Sequence, residues 1–280
     1  MIVVTGANGF IGSNLVRYLL NQGHDVRGVD FNFRNYNTNC INFHAEEFYN
    51  NLEAHLKNAT MVFHEGAISS TSETNDKKLF QFNIKPTLSL MYYCRDNGIK
   101  MQYASSASVY GNMSKEEWHL PNKKLNPLNR YAASKKDIDH VADLVINSLK
   151  PPVLLQGMRY FNVYGPNEDH KADQSSPHHK FKTQLLETGK IKLFKDSKRF
   201  YRDFISVEKV IELKMKALNT MPSGIYDVGT SKPTSFYEVA VQVCQENGID
   251  NADDYIEWIS MPNNLTLHYQ SYTCANTNWA

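Results

Sequence analysis

Residues 1–12 of the chain read MIVVTGANGFIG. The first five are mostly apolar and rich in β-branched side chains, which is typical of a short buried strand. Gly6, Gly9 and Gly12 follow, and leucines then recur at helical spacing until Gly23. A strand, a glycine loop and a helix in this order predict a phosphate-binding turn. Glycine lets the backbone approach a pyrophosphate, and the helix N-terminus supplies N–H groups and a positive dipole end.

The end of the second predicted strand bears on the cofactor. This strand covers residues 25–30, and its last residue, Asp30, stands where a carboxylate reaches a ribose hydroxyl in dinucleotide-binding folds. An acid at this position favours NAD, because it repels the 2′-phosphate of NADP. Arg34 follows four residues later and could pair with that phosphate instead. The residues predict a nicotinamide dinucleotide but do not decide between NAD and NADP.

The alternation of strands and helices continues for more than half of the chain. Further strands are predicted at residues 40–43, 60–64, 100–104 and 153–159, with helices at 46–57, 75–97 and 129–149. This pattern predicts an α/β fold with a doubly wound parallel sheet of the Rossmann type. The alternation fades beyond Pro166. We therefore expect an NAD(P)-binding Rossmann domain of residues 1–166 and a smaller C-terminal substrate-binding lobe of residues 167–280, with some late elements returning to the main sheet.

Composition excludes several classes of protein. The 280-residue chain has 30 basic and 29 acidic residues and a net charge of +1, which gives no bulk attraction to nucleic acid or to a membrane surface. No stretch approaches the roughly 18 apolar residues of a membrane span. The apolar run before the glycine loop is too short for a signal peptide. We expect a cytoplasmic protein.

Neither cysteines nor histidines form a recognisable site. The four cysteines are scattered without a Cys-x-x-Cys pair, so we expect reduced, buried thiols. His178 and His179 lie near Asp173, but adjacent histidines point in different directions on a helix. We predict no metal site.

The residues 129–135 read NRYAASK. In a helix, Tyr131 and Lys135 share one face. A lysine ammonium beside a phenol favours the phenolate, so we expect the pKa of Tyr131 to fall from about 10 toward neutrality. Tyr131 could then accept the proton of a sugar hydroxyl while hydride leaves the same carbon. This spacing also occurs by chance, so the neighbouring sequence must show whether Tyr131 and Lys135 form a catalytic pair.

Serines follow the predicted strand at 100–104, in the stretch Ser105 to Gly111. Ligands bind beyond the carboxyl ends of strands in open α/β sheets, so a hydroxyl there is well placed. Taken alone, such a serine is also an ordinary turn residue.

Several stretches together resemble a known family. The glycine loop, the serine after the fifth strand and Tyr-x-x-x-Lys, in this order, resemble the extended short-chain dehydrogenase/reductase superfamily and its NAD-dependent epimerase/dehydratase family. Three stretches narrow the resemblance to ADP-L-glycero-D-manno-heptose 6-epimerases over nearly the whole chain. They are HEGAISST (64–71), PLNRYAASK (127–135) and RYFNVYGP (159–166), the last followed by His170-Lys171.

The resemblance implies an NADP-dependent enzyme and assigns roles by matched position. Tyr131 and Lys171 would be the two acid/base groups, Ser106 would hydrogen-bond the reacting oxygen, and Lys135 would hold the nicotinamide ribose. The implied cofactor-binding residues, besides the three glycines, Asp30, Arg34 and Lys135, are Phe10, Ile11, Phe31, Glu65, Gly66, Ala67, Ile68, Ser69, Asn83 and Val163. The implied substrate-binding residues are Asn162, Asp173, Lys180, Phe194, Lys195, Asp196, Ser197, Arg202 and Tyr269. Arg202 suits a pyrophosphate because its guanidinium presents a bidentate fork.

The implied reaction is inversion of C6 of ADP-D-glycero-D-manno-heptose through a transient ketone and a bound NADP. Two alternatives stay open: another nucleotide-sugar 4-epimerase or dehydratase, and a non-catalytic sensor of NADP and sugar nucleotide. The expected partners are a nucleotide sugar and further copies of the chain, as a dimer or pentamer. The sequence departs from the family at Lys180, where a histidine is usual, and at Asp173, where a small hydroxyl residue is usual. It also ends at Ala280, where the family continues, so we expect the closing helical element to be missing.

Overall fold

Twelve strands are present in the part of the chain that the structure describes. The structure is a computed structural model and describes residues 1–32, 40–119, 124–168, 171, 175–262 and 270–280. The strands are β1 (Ile2–Thr5), β2 (Val26–Asp30), β3 (Ile41–His44), β4 (Met61–His64), β5 (Lys100–Ser106), β6 (Leu155–Tyr160), β7 (Asn162–Tyr164), β8 (Ile191–Phe194), β9 (Tyr201–Ser206), β10 (Gly224–Val228), β11 (Pro233–Ser235) and β12 (Ile256–Ile259).

The α-helices among the described residues surround these strands. They are α1 (Phe10–Asn21), α2 (Ala45–Asn50), α3 (Leu52–Leu56), α4 (Asp76–Leu79), α5 (Lys85–Asp96), α6 (Arg130–Ile146), α7 (Pro177–Thr188), α8 (Val207–Thr220) and α9 (Phe236–Glu246). No helix in the described ranges is long and apolar enough to cross a membrane. All four cysteines are unpaired thiols.

A seven-stranded parallel sheet carries the fold, which confirms the predicted doubly wound architecture. Its strand order is β3-β2-β1-β4-β5-β6-β10, and every neighbouring pair is parallel. The chain winds outward in one direction from β1 and in the other from β4. Ligands bind beyond the carboxyl ends of the strands at such a reversal. The glycine loop, which leaves β1, is therefore at the centre of the expected binding edge.

Both faces of the sheet are buried, which is why its central strands are apolar without alternation. On β1, Val3 packs into a cluster that includes Ile138 of α6, whereas Val4 points to the opposite face. There it joins a cluster with Leu15 of α1 and Ile211 of α8. α6 and α8 therefore cover opposite faces of one sheet and bring their side chains to its carboxyl edge from two sides.

The C-terminal half contributes both to this sheet and to a separate core. β10 forms the edge of the large sheet beside β6. α7 and α9 pack on β8 and β12 through a second apolar cluster that contains Phe181, Ile191 and Val243. β9 lies between β7 and β11 in a three-stranded sheet. The predicted boundary at residue 166 stays a prediction.

One sequence-based expectation differs from the structure. The single helix predicted at residues 46–57 is wrong: α2 and α3 are separate, because the side chain of Asn51 caps α3 by accepting a hydrogen bond from Ala54 N at 3.2 Å. The large sheet contains the six strands placed from the sequence and also β10, which joins it from the late part of the chain.

The last eleven residues, 270–280, are held by two buried carboxylates. Asp203 of β9 accepts a hydrogen bond from Ala275 N at 2.9 Å, and Asp227 of β10 accepts one from Asn276 N at 3.0 Å. The C-terminal segment is thereby tied to the strand that carries Arg202.

Candidate active site

The glycine loop packs tightly against the segment that follows β4. Gly6 has a φ of +65°, a conformation that favours glycine, and a Cβ on it would lie 2.6 Å from Gly66 N. A Cβ on Gly12 would lie 2.0 Å from the carbonyl oxygen of Gly6. Gly9 precedes α1 as its N-terminal cap residue. The close packing leaves the N-terminus of α1 facing the binding edge of the sheet, as a phosphate site requires.

A cavity of about 540 Å³ opens beside this loop, and we call it the glycine-loop cavity. Asp30 lies in its wall, where its carboxylate accepts hydrogen bonds from Asn8 N at 2.9 Å and Phe31 N at 2.7 Å. The predicted cofactor residues that line this cavity are Gly6, Gly9, Asp30, Phe31, Glu65, Gly66, Ala67 and Ile68. The glycine cradle, the helix N-terminus and the ribose-directed carboxylate together fit the adenosine diphosphate half of a nicotinamide dinucleotide.

Asn83 acts from behind the cavity rather than in its wall. It lies in the π-helical turn Phe80–Ile84 and is fully buried. Its side chain accepts from Ile68 N at 2.7 Å and donates to Ile68 O at 3.1 Å. It therefore holds the loop after β4 in place. The predicted phosphate partner, Arg34, lies outside the described residues.

A second cavity, of about 310 Å³, contains the predicted acid/base groups, and we call it the central cavity. Tyr131 and Lys171 both line it, although they come from α6 and from the connection between β7 and α7. The other predicted site residues in its wall are Phe10, Ile11, Glu65, Ala67, Ser69, Ser106, Lys135, Asn162 and Val163.

Tyr131 is buried, and both it and Ser106 line the central cavity. The expectation that Lys135 lowers its pKa is wrong. Burial raises the pKa of Tyr131, and the nearby Ser106 hydroxyl opposes that rise. Lys135 instead donates to Ala104 O at 2.8 Å, with its Nζ 6.0 Å from the centre of the Tyr131 ring. Burial also lowers the pKa of Lys135 to about 8.

Lys171 lines the same cavity from the connection that follows β7. Its Nζ lies 4.7 Å from the centre of the Phe10 ring and 4.0 Å from Glu168 Oε2. Burial lowers the pKa of Lys171, while Glu168 opposes the fall by stabilising the ammonium. A buried lysine with a lowered pKa suits proton transfer near neutral pH.

Glu168 was not predicted from the sequence, and it supports Lys171. It is almost fully buried and accepts hydrogen bonds from Gly165 N at 2.9 Å, Ser176 N at 2.6 Å and Ser176 Oγ at 2.9 Å. Its carbonyl oxygen accepts from Lys171 N at 2.8 Å. One carboxylate therefore ties the end of β7 to the start of α7 and holds Lys171 between them. A glutamate in a polar loop carries no sequence signal for such a role.

A third cavity, of about 630 Å³, lies toward the C-terminal lobe, and we call it the outer cavity. The predicted substrate residues that line it are Asn162, Lys180, Phe194, Ser197 and Arg202. The turn after β8 places Lys195 and Asp196 on its exposed side, because Ser197 N donates back to Phe194 O at 2.9 Å and turns Ser197 inward. Asp173 and Tyr269 lie outside the described residues.

The three cavities share walls. Glu65 and Ala67 line both the glycine-loop cavity and the central cavity. Thr71, Asn162 and Pro177 line both the central cavity and the outer cavity. A dinucleotide and a second elongated ligand could therefore meet at Tyr131 and Lys171.

Comparison with known proteins agrees with this arrangement. Residues 2–229 match the model of the NAD dependent epimerase/dehydratase family. The chain belongs to this family. It is 36% identical over 288 residues to the ADP-L-glycero-D-manno-heptose-6-epimerase of Brachyspira hyodysenteriae, covering 99% of this chain and 89% of the relative.

Two solved structures extend the comparison. The ADP-L-glycero-D-manno-heptose-6-epimerase of Helicobacter pylori is 29% identical, with a TM-score of 0.79 over 92% of this chain and 84% of that one. The UDP-glucose 4-epimerase of Thermus thermophilus, in complex with NAD, is 25% identical, with a TM-score of 0.75 over 95% of this chain and 92% of that one. The resemblance to the heptose epimerases inferred from short motifs thus holds over nearly the whole chain.

Membership of the epimerase/dehydratase family supports a nicotinamide cofactor. Other residues of the site escaped sequence analysis. Gln184, Lys192 and Phe236 line the outer cavity but come from three separate elements. The capping box at Ser235 and Glu238 predicts a helix start beside Phe236, yet nothing local indicates that the ring faces a ligand.

Metal binding has no support among the described residues, which contain no group of three or more histidine, cysteine or acidic side chains placed to hold a metal ion. His178 instead bonds Glu246 Oε2 at 2.9 Å and stacks on Tyr164.

Proposed function

We propose that the protein is a nucleotide-sugar epimerase that inverts C6 of ADP-D-glycero-D-manno-heptose to give the L-glycero epimer. The observation that carries this proposal is the placing of Tyr131 and Lys171 in one cavity, between a dinucleotide site and an outer cavity. When C6 is inverted by rotation about C5–C6, the carbonyl oxygen moves away from the first acid/base group, so a second group must return the proton. The names of the similar proteins support the heptose substrate.

In the proposed first half-reaction, Tyr131 accepts the C6 hydroxyl proton as hydride leaves the same carbon. Ser106 lines the same cavity as Tyr131, and in this proposal its hydroxyl holds the reacting oxygen. A bound oxidised nicotinamide would supply the hydride acceptor, and its positive charge would favour the Tyr131 phenolate. The product of this half-reaction is a ketone that stays in the central cavity.

In the second half-reaction, rotation about C5–C6 turns the other face of the ketone toward the returning hydride. The oxygen then points away from Tyr131, and Lys171 donates the proton. Its lowered pKa helps it to release a proton and to be recharged in each cycle. The net reaction changes one configuration and consumes no cofactor. Because the reaction is reversible, the two groups exchange roles in the opposite direction.

The outer cavity is suited to hold the nucleotide part of the substrate. Arg202 is nearly buried and stands 5.6 Å from the centre of the Phe236 ring. With Lys180 and Lys192 it brings three cationic side chains to one cavity, which suits a diphosphate. Phe194 and Phe236 add apolar surface for a base or ribose.

The form of the cofactor and the assembly are further parts of the proposal. We propose NADP on the family resemblance, with NAD as the alternative favoured by the charge of Asp30. Extraction of the purified protein under denaturing conditions and mass spectrometry would distinguish the two. We also propose a homo-oligomer, a dimer or a pentamer, which light scattering at micromolar concentration would test.

Product analysis tests the proposed function. The protein is incubated with ADP-D-glycero-D-manno-heptose and its cofactor, and the configuration at C6 is followed by proton NMR. We expect the L-glycero epimer to accumulate to an equilibrium ratio without net change in cofactor absorbance. UDP-glucose serves as the comparison substrate. Epimerisation of UDP-glucose at C4 with no change in the heptose would replace the proposal by that of a 4-epimerase.

A further inference from the structure

A fully buried ion pair lies beside the site. The Nζ of Lys214, on α8, donates to Glu65 Oε1 at 2.7 Å and to Tyr160 OH at 2.8 Å. The Tyr160 hydroxyl donates in turn to Glu65, 2.9 Å from Oε2 and 3.1 Å from Oε1. The Lys214 and Glu65 side chains are 0% and 3% exposed. Both carboxylate oxygens of Glu65 are therefore engaged by the protein itself.

The position of Glu65 makes this pair more than a packing device. Glu65 lines both the glycine-loop cavity and the central cavity, so its carboxylate lies where the two cavities meet. Taking two charges out of water is costly, and an apolar pair of similar volume usually serves stability as well or better. Stability alone thus gives little reason for Lys214 of α8 to pair with Glu65 where the two cavities meet.

The charge balance of the central cavity depends on this lysine. Besides Glu65, the cavity wall carries the ammonium groups of Lys135 and Lys171. Lys135 already donates to Ala104 O, and although burial lowers its pKa, the nearby charges of Asp139 and Glu65 oppose that fall. With Lys214 present, Glu65 and Lys214 sum to zero charge. Without Lys214, an uncompensated carboxylate would face the cavity in which hydride is exchanged.

We propose that Lys214 is a positioning residue that neutralises Glu65, so that the oxidised and reduced forms of the nicotinamide cofactor bind with similar affinity. The oxidised ring carries a positive charge that the reduced ring lacks, so an unpaired carboxylate in this cavity favours the oxidised form. A reaction that must return its hydride needs both forms to be accessible. The inference rests on the nicotinamide cofactor of the family and is independent of the sugar that is epimerised.

The test compares dissociation constants for the oxidised and reduced cofactor, measured by calorimetry with whichever of NAD and NADP the wild type binds more tightly. Lys214→Met should shift the ratio of the two constants toward the oxidised form. Glu65→Gln leaves Lys214 uncompensated and should shift it toward the reduced form. Each shift should be on the order of tenfold, as expected for one unpaired charge at several ångströms in a medium of intermediate dielectric. The double variant should return to the wild-type ratio.

Lys209→Met is the matched control. Lys209 lies on the same helix and also pairs with a glutamate, Glu212, at 2.6 Å, but both side chains are more than half exposed. Its loss should leave the ratio within about twofold of wild type, as for most surface pairs.

Opposite shifts in the two single variants cannot arise from a general loss of structure. Equal ratios in all four proteins, or shifts of the same sign in both single variants, would overturn the proposal and leave a purely structural pair. If Lys214→Met does not fold, Glu65→Gln and the double variant still decide the question. The proposal then requires the double variant to differ from Glu65→Gln by about tenfold in the ratio, and equality of the two refutes it.

Discussion

The two walls of the central cavity are built in different ways. Tyr131 stands on α6, a helix of 17 residues packed against the large sheet, two residues after its N-terminal cap residue Asn129. Ser134 and Lys135 of the same helix bond backbone carbonyls of residues 131 and 104. Lys171 stands on a connection instead, and the carboxylate of Glu168 provides most of its described support.

Tyr131 is therefore held by the packing of a whole helix, whereas the position of Lys171 depends on a few specific bonds. A side chain on a packed helix keeps its place when one neighbour is removed, because many contacts hold the helix. A side chain on a connection depends on a few specific bonds. We therefore expect changes on the Tyr131 side to affect chemistry alone, and changes around Lys171 to act through its position and its pKa.

The largest effect is expected for Tyr131→Phe, which removes only the hydroxyl. Turnover should fall by about 10²–10⁴-fold, the usual cost of losing a positioned acid/base group. The affinity for the cofactor should stay near that of wild type, because α6 keeps its packing. Turnover above a tenth of wild type would show that Tyr131 is not an acid/base group.

The pH dependence of stability should reveal the burial of Lys135. Its pKa is lowered from 10.5 to about 8, mainly by burial, so the unfolded chain binds more protons between these values. The free energy of unfolding therefore rises with pH in this window. Between pH 8 and 10.5, the free energy of unfolding of wild type should rise by up to about 3 kcal/mol relative to that of Lys135→Met. Urea denaturation at a series of pH values would measure this change. A constant difference would contradict the burial of a titrating Lys135.

A smaller effect is expected for Glu168→Gln. The amide keeps the shape, but its NH₂ group faces N–H and O–H donors, so charge-assisted bonds to Ser176 are lost. We expect turnover to fall by about tenfold, the equivalent of about 1.4 kcal/mol. Glu168 raises the pKa of Lys171, so its loss should also move the corresponding limb of the pH–rate profile to lower pH. If activity falls but the pH–rate profile does not shift, Glu168 holds the connection in place and does not tune the pKa of Lys171.

The smallest effects on KM are expected for the two exposed residues of the turn after β8, Lys195 and Asp196. Lys195→Ala and Asp196→Ala should each change KM by about twofold or less, as surface substitutions usually do. Phe194→Ala, in the same turn but in the cavity wall, should raise KM several times more. A large effect of either exposed residue would show that the turn rearranges when substrate binds.

Local signals were enough for the cofactor side of the site and insufficient for the other side. The glycine loop and Asp30 follow one another in sequence, and each carries its own geometric reason, so both could be placed before the fold was known. Glu168, Lys214 and Phe236 could not. Each acts only through partners far away in sequence or across an irregular connection. The direction of the Tyr131 pKa shift also depended on burial, which the spacing of Tyr131 and Lys135 does not show.

The central claim is that two acid/base groups serve opposite faces of one carbonyl, and Lys171→Met tests it most directly. Steady-state epimerisation of ADP-D-glycero-D-manno-heptose is measured for this variant and for Lys180→Met. Lys180 is the matched lysine because it lines the outer cavity and not the wall shared with Tyr131. We predict a loss of turnover of about 10²–10⁴-fold for Lys171→Met and an effect mainly on KM for Lys180→Met. Turnover of Lys171→Met within about threefold of wild type, far below the cost of losing an acid/base group, would contradict the account.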